Sequence, residues 1–274
     1  MIPKIIHCVW LSGEEKPEMY KMCIRSWKYV MSDFEIKEWN LNNLPEEVKN
    51  TQFVKGALES KKWAYATDYI RLWALYTFGG IYMDMDVMVF KSFNPFLEHG
   101  FFTSIELNPI VLYKTLKSKE ILGIGLEAAV MGCIPHHPFI SDALGCYSDL
   151  KFINTPEFCF QYIMPRVLTR IAINNYGFKQ VPCMQVLKEG MWIYPCDVFS
   201  SVYNWSNYLS IRLEDAINIL NKDVIRYSVH ICAHGWFEGK ENQNSLKWKI
   251  KHIAYRLLFA KYWKKNVSFH KSPV

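Results

Sequence analysis

Residues 3–11 form an almost unbroken apolar run with β-branched Ile5, Ile6 and Val9, which predicts a buried first strand. A loop follows from Gly13 to Pro17. Over residues 18–31, Met19, Met22, Cys23, Trp27 and Val30 recur at helical spacing, and residues 34–39 then alternate in the manner of a strand. Strand, helix and strand so closely spaced predict a βαβ unit, and with it an α/β fold with a partly parallel sheet. A long helical pattern through Leu58, Ala64, Ile70, Leu72, Leu75 and Tyr76 spans residues 57–78 and stops at Gly79-Gly80. Residues 81–90 read as one strand with acids near its start. Residues 93–160 read as short strands and loops punctuated by Gly100, Gly123, Gly125 and Gly132. Residues 197–208 read as an irregular loop, and residues 245–265 as a second clear helix.

Half of the 274 residues are hydrophobic and 21% are charged, which suits a sizeable core and excludes global disorder. No apolar run reaches the roughly 18–20 residues needed to cross a bilayer. The N-terminus has neither the basic start nor the small-residue cleavage site of a signal peptide, so a cytoplasmic protein is expected. The eight cysteines form no CxxC pair and are expected to be reduced thiols, not zinc ligands or disulfides. Charge is unevenly placed. From Asn242 onward there are eight Lys or Arg and no acid, whereas residues 1–241 carry 24 basic and 26 acidic residues, a balance of −2. This divides the chain into a domain over 1–241 and a basic extension over 242–274.

The segment with most chemistry is Gly79-Gly80-Ile81-Tyr82-Met83-Asp84-Met85-Asp86-Val87. On a strand, Tyr82, Asp84 and Asp86 would share one face. Two carboxylates in so apolar a setting are costly to bury unpaired. A divalent cation would offset that cost, and oxygen ligands suit Mg²⁺ or Mn²⁺. The same pair would equally serve as solvated acids at a turn. Upstream, Asp68 and Arg71 stand three apart on one helical face, as an ion pair or as part of the same cleft.

The run from Ala66 to Val87 resembles the signature of glycosyltransferase family 32. That family includes fungal Golgi mannosyltransferases, bacterial capsular polysaccharide transferases and the glucosyltransferase domains of large clostridial toxins. Its pattern is a small residue, Ser, Asp, two others and Arg, then a helix into GGxYxDxD; here Thr67 stands for the Ser. The opening Pro3 to Trp10, PKIIHCVW, is similar to the family's PKIIHQIW, with Cys8 in place of Gln. The resemblance implies a GT-A type fold: a Rossmann-like, twisted, mostly parallel sheet flanked by helices, binding a nucleotide-sugar with Mn²⁺ or Mg²⁺. It also implies retention of anomeric configuration. Asp86 would bind the metal directly, and Asp84 would contact the sugar or ribose and the metal's water. Asp68 would hold sugar hydroxyls, with Arg71 near sugar and diphosphate. Tyr82 would lie near the nucleotide, and Trp10 would stack on the base. Glu127 sits where relatives place a donor-sugar residue. Near the C-terminus, His230 and Trp236 match a segment that completes the metal shell and closes over the diphosphate. Gly235 replaces the family's Ser, and His234 is the candidate to compensate. His136-His137 reads as a loop.

The expected activity is transfer of a hexose from a nucleotide-sugar, a UDP-sugar such as UDP-galactose or UDP-glucose being favoured. The expected acceptor is a lipid-linked glycan in bacterial capsular or surface polysaccharide assembly. A metal-dependent phosphohydrolase and a non-catalytic nucleotide- or glycan-binding protein are the alternatives. Within residues 246–263 the apolar positions Leu246, Ile250, Ile253 and Leu257 are interleaved with Lys247, Lys251, Arg256 and Lys261, which makes an amphipathic basic helix. It suits docking on an anionic membrane surface, hence a peripheral location at the inner face of the cell membrane. The slightly acidic remainder speaks against nucleic acid.

Overall fold

The computed structural model describes residues 1–108, 111–112, 115, 122–200 and 226–232. Its centre is a seven-stranded mixed sheet in the order β2-β1-β3-β6-β5-β8-β7. The strands are β1 (Ile5–Val9), β2 (Glu35–Trp39), β3 (Gly80–Met83), β5 (Phe101–Leu107), β6 (Ile124–Cys133), β7 (Gln185–Leu187) and β8 (Met191–Tyr194). β1 pairs in parallel with β2 and β3, and β5 with β8, while β6 and β7 run antiparallel to their neighbours. Most strands therefore point one way, and the fold is the α/β arrangement with a mostly parallel sheet that the sequence predicted. A second, two-stranded sheet pairs β4 (Val87–Val89) with β9 (Ser228–His230).

The β1-helix-β2 unit forms as the sequence predicts. Helix α1 (Glu18–Val30) buries Cys23 and Trp27 and packs on β4. The Trp27 indole donates to the Val87 carbonyl (2.7 Å), and the Ser26 hydroxyl accepts from the Val89 amide (3.0 Å). Period-two alternation then assigns strand residues to two cores. Ile6, Cys8, Ile81 and Met83 pack with Trp27, Phe93, Phe102 and Phe199 on one face. Val9 and Tyr82 face the other core with Ala66, Leu72, Leu75 and Tyr147.

Three expectations on element bounds need correction. After the short α2 (Glu46–Lys49), the helical pattern over residues 57–78 is two helices, α3 (Gln52–Glu59) and α4 (Trp63–Phe78). The break is at Lys61, whose φ is +55°, and the Lys62 amide closes the end of α3 on the Ala57 carbonyl (2.8 Å). The strand over residues 81–90 is also two elements, because the chain turns at Asp84–Asp86 and leaves the main sheet for the small one. Residues 93–160 are more regular than their glycines suggest. They contain β5 and the ten-residue β6, and a helix at Pro138–Ser148. Gly132 sits inside β6 because the Phe102 ring lies where its Cβ would be, so it is a packing glycine and not a breaker.

All eight cysteines are free thiols. Among the described residues no helix is long and apolar enough to cross a membrane. A short helix, Cys196–Phe199, occupies the start of the expected 197–208 loop. The rest of that loop, the basic helix at 245–265 and the whole 242–274 extension lie outside the described residues, as do His234 and Trp236.

Candidate active site

Helix α4 is apolar nearly all round because it is wedged between the sheet and the Pro138–Ser148 helix. Its two charged residues are therefore buried, Asp68 at 5% exposure and Arg71 at 6%. They form an ion pair, with Arg71 Nη2 3.1 Å from Asp68 Oδ1. The other guanidinium nitrogen donates to the Ala128 carbonyl (2.8 Å) and reaches Asp84 Oδ1 at 3.4 Å. The Arg71 plane also covers the Tyr82 ring at 4.5 Å. The Tyr82 hydroxyl in turn donates to Asp84 Oδ1 (2.6 Å). Burial pushes the Asp68 carboxyl up to about 7, against the pull of Arg71 and with a further push from Asp84.

The DXD segment takes its shape from the end of β3. The Asp84 amide still bonds across to the Ala129 carbonyl (2.9 Å), and the Val87 amide then closes a turn on the Asp84 carbonyl (3.0 Å). The carboxylates are thus presented by a turn and not by a strand face as the sequence suggested. Residue Asp86 is fixed from the other side. β4 pairs with β9 so that Val87 stands opposite His230, and the Ile231 amide donates to the Asp86 carbonyl (2.9 Å). This brings His230 Nε2 to 3.3 Å from Asp86 Oδ1. One ligand atom each from Asp84, Asp86 and His230 fall within 4.8 Å of one another.

Glu127 supports this cluster from beneath. It is 4% exposed on β6. One carboxylate oxygen accepts from the amides of Ala128 (3.1 Å) and Ala129 (3.0 Å) and lies 3.6 Å from His230 Nδ1. The other accepts from the Ser200 hydroxyl (2.6 Å). Burial alone would raise its pKa, but His230, Ser200 and the Ala129 amide more than reverse this and hold it down at about 2. Two carboxylates and one imidazole, with a carboxylate behind the imidazole's second nitrogen, fit a divalent cation that accepts mixed oxygen and nitrogen donors, as Mn²⁺ does.

Trp10 follows β1 at the same end of the sheet. Its indole donates to the Glu14 carbonyl (2.8 Å), its ring meets Tyr20 edge-on at 5.6 Å, and Lys16 lies over it at 5.5 Å. Tyr20 borders the acids, since after burial the charges of Asp86 and Asp84 contribute to raising its phenol pKa. The sequence did not single out Tyr20 or Ser200. Neither type is rare here, and neither lies in the DXD segment. His136-His137 is a turn as expected, and His137 caps the Pro138–Ser148 helix through the Phe139 amide.

Residues 17–103 match the family described as the glycosyltransferase sugar-binding region containing a DXD motif. The chain carries a DXD-type glycosyltransferase region. It is 28% identical over 167 residues to inositol phosphoceramide mannosyltransferase 3 of Schizosaccharomyces pombe, covering 60% of this chain and 40% of that protein. It is 28% identical over 142 residues to an uncharacterized glycosyltransferase of Acanthamoeba polyphaga mimivirus, covering 50% of this chain and 52% of that one. The chain thus spans about half or less of the length of these curated relatives. Among solved structures, the galactosyltransferase LgtC is similar over 96% of this chain and 100% of its own, at 14% identity and a TM-score of 0.44. The PaToxG glycosyltransferase is similar over 64% of this chain and 70% of its own, at 16% identity and a TM-score of 0.43. The DXD of the matched family is Asp84-Met85-Asp86 here, and Asp68, Arg71, Asp84, Asp86 and Tyr82 of the glycosyltransferase region form one connected cluster.

Proposed function

We propose that this protein transfers a hexose from a nucleotide-sugar to a glycan acceptor, with retention of configuration and with a divalent cation held by Asp84, Asp86 and His230. The observation that carries the reading is the convergence of those three side chains beside the buried Asp68–Arg71 pair. A cation bound there would neutralise the charge that develops on the departing diphosphate. The chain's own residues do the remainder. Arg71 holds Asp68 and Asp84 in place, and Asp68 is set to engage donor-sugar hydroxyls. Glu127 orients His230. Trp10 and Tyr20 offer aromatic surface for the base, and His234 and Trp236 are assigned to the metal and the diphosphate from the family resemblance. In the transfer, the acceptor oxygen bonds to the anomeric carbon as its bond to the diphosphate breaks, and the hydroxyl proton passes to a diphosphate oxygen. UDP-sugars are the favoured donors. GDP-mannose belongs beside them because the fission yeast relative is named a mannosyltransferase. A lipid-linked acceptor, a role in bacterial surface polysaccharide assembly and a cytoplasmic, membrane-peripheral location complete the proposal.

The test is nucleotide release from a panel of UDP- and GDP-sugars with Mn²⁺ or EDTA. Release is expected from one donor, dependent on Mn²⁺, and lower by about a hundredfold or more in Asp86→Ala. Undiminished release in a folded Asp86→Ala protein would overturn the metal assignment. Absence of both release and metal-dependent nucleotide binding would overturn the glycosyltransferase reading.

A further inference from the structure

A cavity lies beside β6, the strand that carries Glu127. It has a volume of about 460 Å³ and lies at the C-terminal end of β5, between the β5–β6 pair and the helix Met164–Ile171. That size lies within the range of small-molecule sites. Two stretches of its lining neighbour residues of the candidate active site. On one side, Ile163 and Pro165 line it, and the Met164 backbone between them lies near enough to the Asp68 carboxyl to favour its charged form. On the other, Glu106 lines it and stands opposite Gly125 in the β5–β6 register, two residues along β6 from Glu127.

Glu106 is the anomaly. Asp68, Asp84, Asp86 and Glu127 are each engaged by neighbours. Among the described residues nothing donates a hydrogen bond to the Glu106 carboxyl, although it is half-buried on a strand whose other residues are buried. A carboxyl in that position is costly unless something supplies a donor. The walls above it are apolar. Leu122, Ile124, Ile163 and Ile173 line the cavity, and Phe160, 60% exposed, stands at its mouth with the Arg166 guanidinium 4.3 Å over its ring. An exposed phenylalanine and an exposed Ile173 at the rim of a polar-floored cavity are surface that a ligand would cover.

We propose that this cavity is the acceptor site, that Glu106 accepts a hydrogen bond from an acceptor hydroxyl, and that the Phe160 and Ile173 rim takes an apolar aglycone attached to it. The ligand class is therefore a sugar or polyol carrying an alkyl or lipid tail, presented to a donor sugar held at Asp68. This rests on the glycosyltransferase reading above.

The experiment measures transfer from the active donor to methyl and octyl glycosides of common hexoses, with donor and acceptor KM determined separately. For the unaltered protein, octyl glycosides are expected to have a KM at least tenfold below that of their methyl counterparts. Glu106→Gln should lower kcat/KM for the acceptor by about two- to tenfold, the range for one hydrogen bond between neutral groups, because burial and the Glu127 charge push the Glu106 carboxyl up to about 8, with donor-nucleotide affinity by calorimetry within twofold. Phe160→Ala, a surface change that leaves the core intact, should raise the octyl glycoside KM several-fold and leave the methyl glycoside KM unchanged. The proposal is overturned if Glu106→Gln weakens donor binding as much as acceptor use, which would make the cavity a donor subsite. It is also overturned if Phe160→Ala fails to separate the two glycosides, or if octyl glycosides are used no better than methyl ones. Loss of Mn²⁺-dependent nucleotide release in the unaltered protein is a different result, because it removes the glycosyltransferase reading on which this one stands.

Discussion

His7 shows how one side chain in a sequence motif can serve the frame of a site without entering it. It is fully buried on β1, with Nδ1 accepting from the Trp39 indole (3.1 Å) and Nε2–H donating to the Gly79 carbonyl (2.8 Å). This fixes the neutral tautomer and ties β1 to the turn that launches the DXD strand. Burial lowers its pKa to about 4, even though the Gly79 bond opposes the shift. In the unfolded chain the imidazole takes up a proton near pH 6.5, and in the folded chain only near 4. Stability from this residue is thus complete above pH 6.5 and falls as pH drops from 6.5 towards 4, by about 3 kcal/mol at most. Urea unfolding of the unaltered protein and of His7→Gln across this window should show a steeper acid decline in the former. Parallel declines would mean that His7 titrates normally. The Gln variant should itself be less stable at pH 7.5, by about 1–3 kcal/mol, since it cannot reproduce both ring bonds.

At the scale of elements, the breaks decide the site. α4 ends at Gly79 (φ +63°, ψ −158°), a conformation open essentially to glycine alone, and a Cβ there would sit 2.6 Å from the Pro135 ring and 2.7 Å from its nitrogen. Gly79→Ala should therefore cost about 3 kcal/mol or more, read as a fall in denaturation midpoint at unchanged slope. Gly145, in the Pro138–Ser148 helix, is the contrast: nothing lies within 4 Å of a Cβ, and Gly145→Ala should add roughly 0.5–1 kcal/mol. Equal effects at the two positions would show that the turn tolerates a side chain.

The same contrast explains what was legible in the sequence. β1, α1, β2 and the stop at Gly79-Gly80 follow from apolar periodicity and glycine, which are local signals. The break at Lys61 and the turn inside residues 81–90 carry no such signal, because lysine is an unusual residue for the positive φ that ends α3 and the Asp84–Asp86 turn is pinned from outside by Ala129 and Ile231. The site divides likewise. Asp68, Arg71, Asp84 and Asp86 were legible because they sit within one short stretch with a family pattern. His230 was legible only through the resemblance. Glu106, Ser200 and Tyr20 were not legible at all, since their place depends on the β5–β6 register, with its irregularity between Thr103 and Ile105, and on which helix ends meet there.

At the scale of the whole molecule, charge is separated along the chain. Residues 1–241 balance at −2, whereas the 33 that follow carry eight basic residues and no acid. A uniform spread of basic residues would attract anions everywhere, whereas a basic stretch of sequence after a slightly acidic one concentrates that attraction in one segment. On an anionic bilayer, each Lys or Arg near the surface adds about 1 kcal/mol of attraction, and an apolar stripe on the same segment adds burial at the headgroup boundary. Such docking would hold the protein at the surface on which tailed acceptors of the kind proposed above reside. Removal of residues 245–274 should therefore abolish most sedimentation with phosphatidylserine-containing liposomes at low salt. Binding of the full chain should weaken steeply as ionic strength rises, because screening shortens the reach of each charge. Transfer to a water-soluble methyl glycoside should be the same in both proteins, since the cluster and the cavity lie within residues 1–241. Equal sedimentation of the truncated and full chains would show that the tail packs on the domain, and the membrane would then have to be reached through another surface.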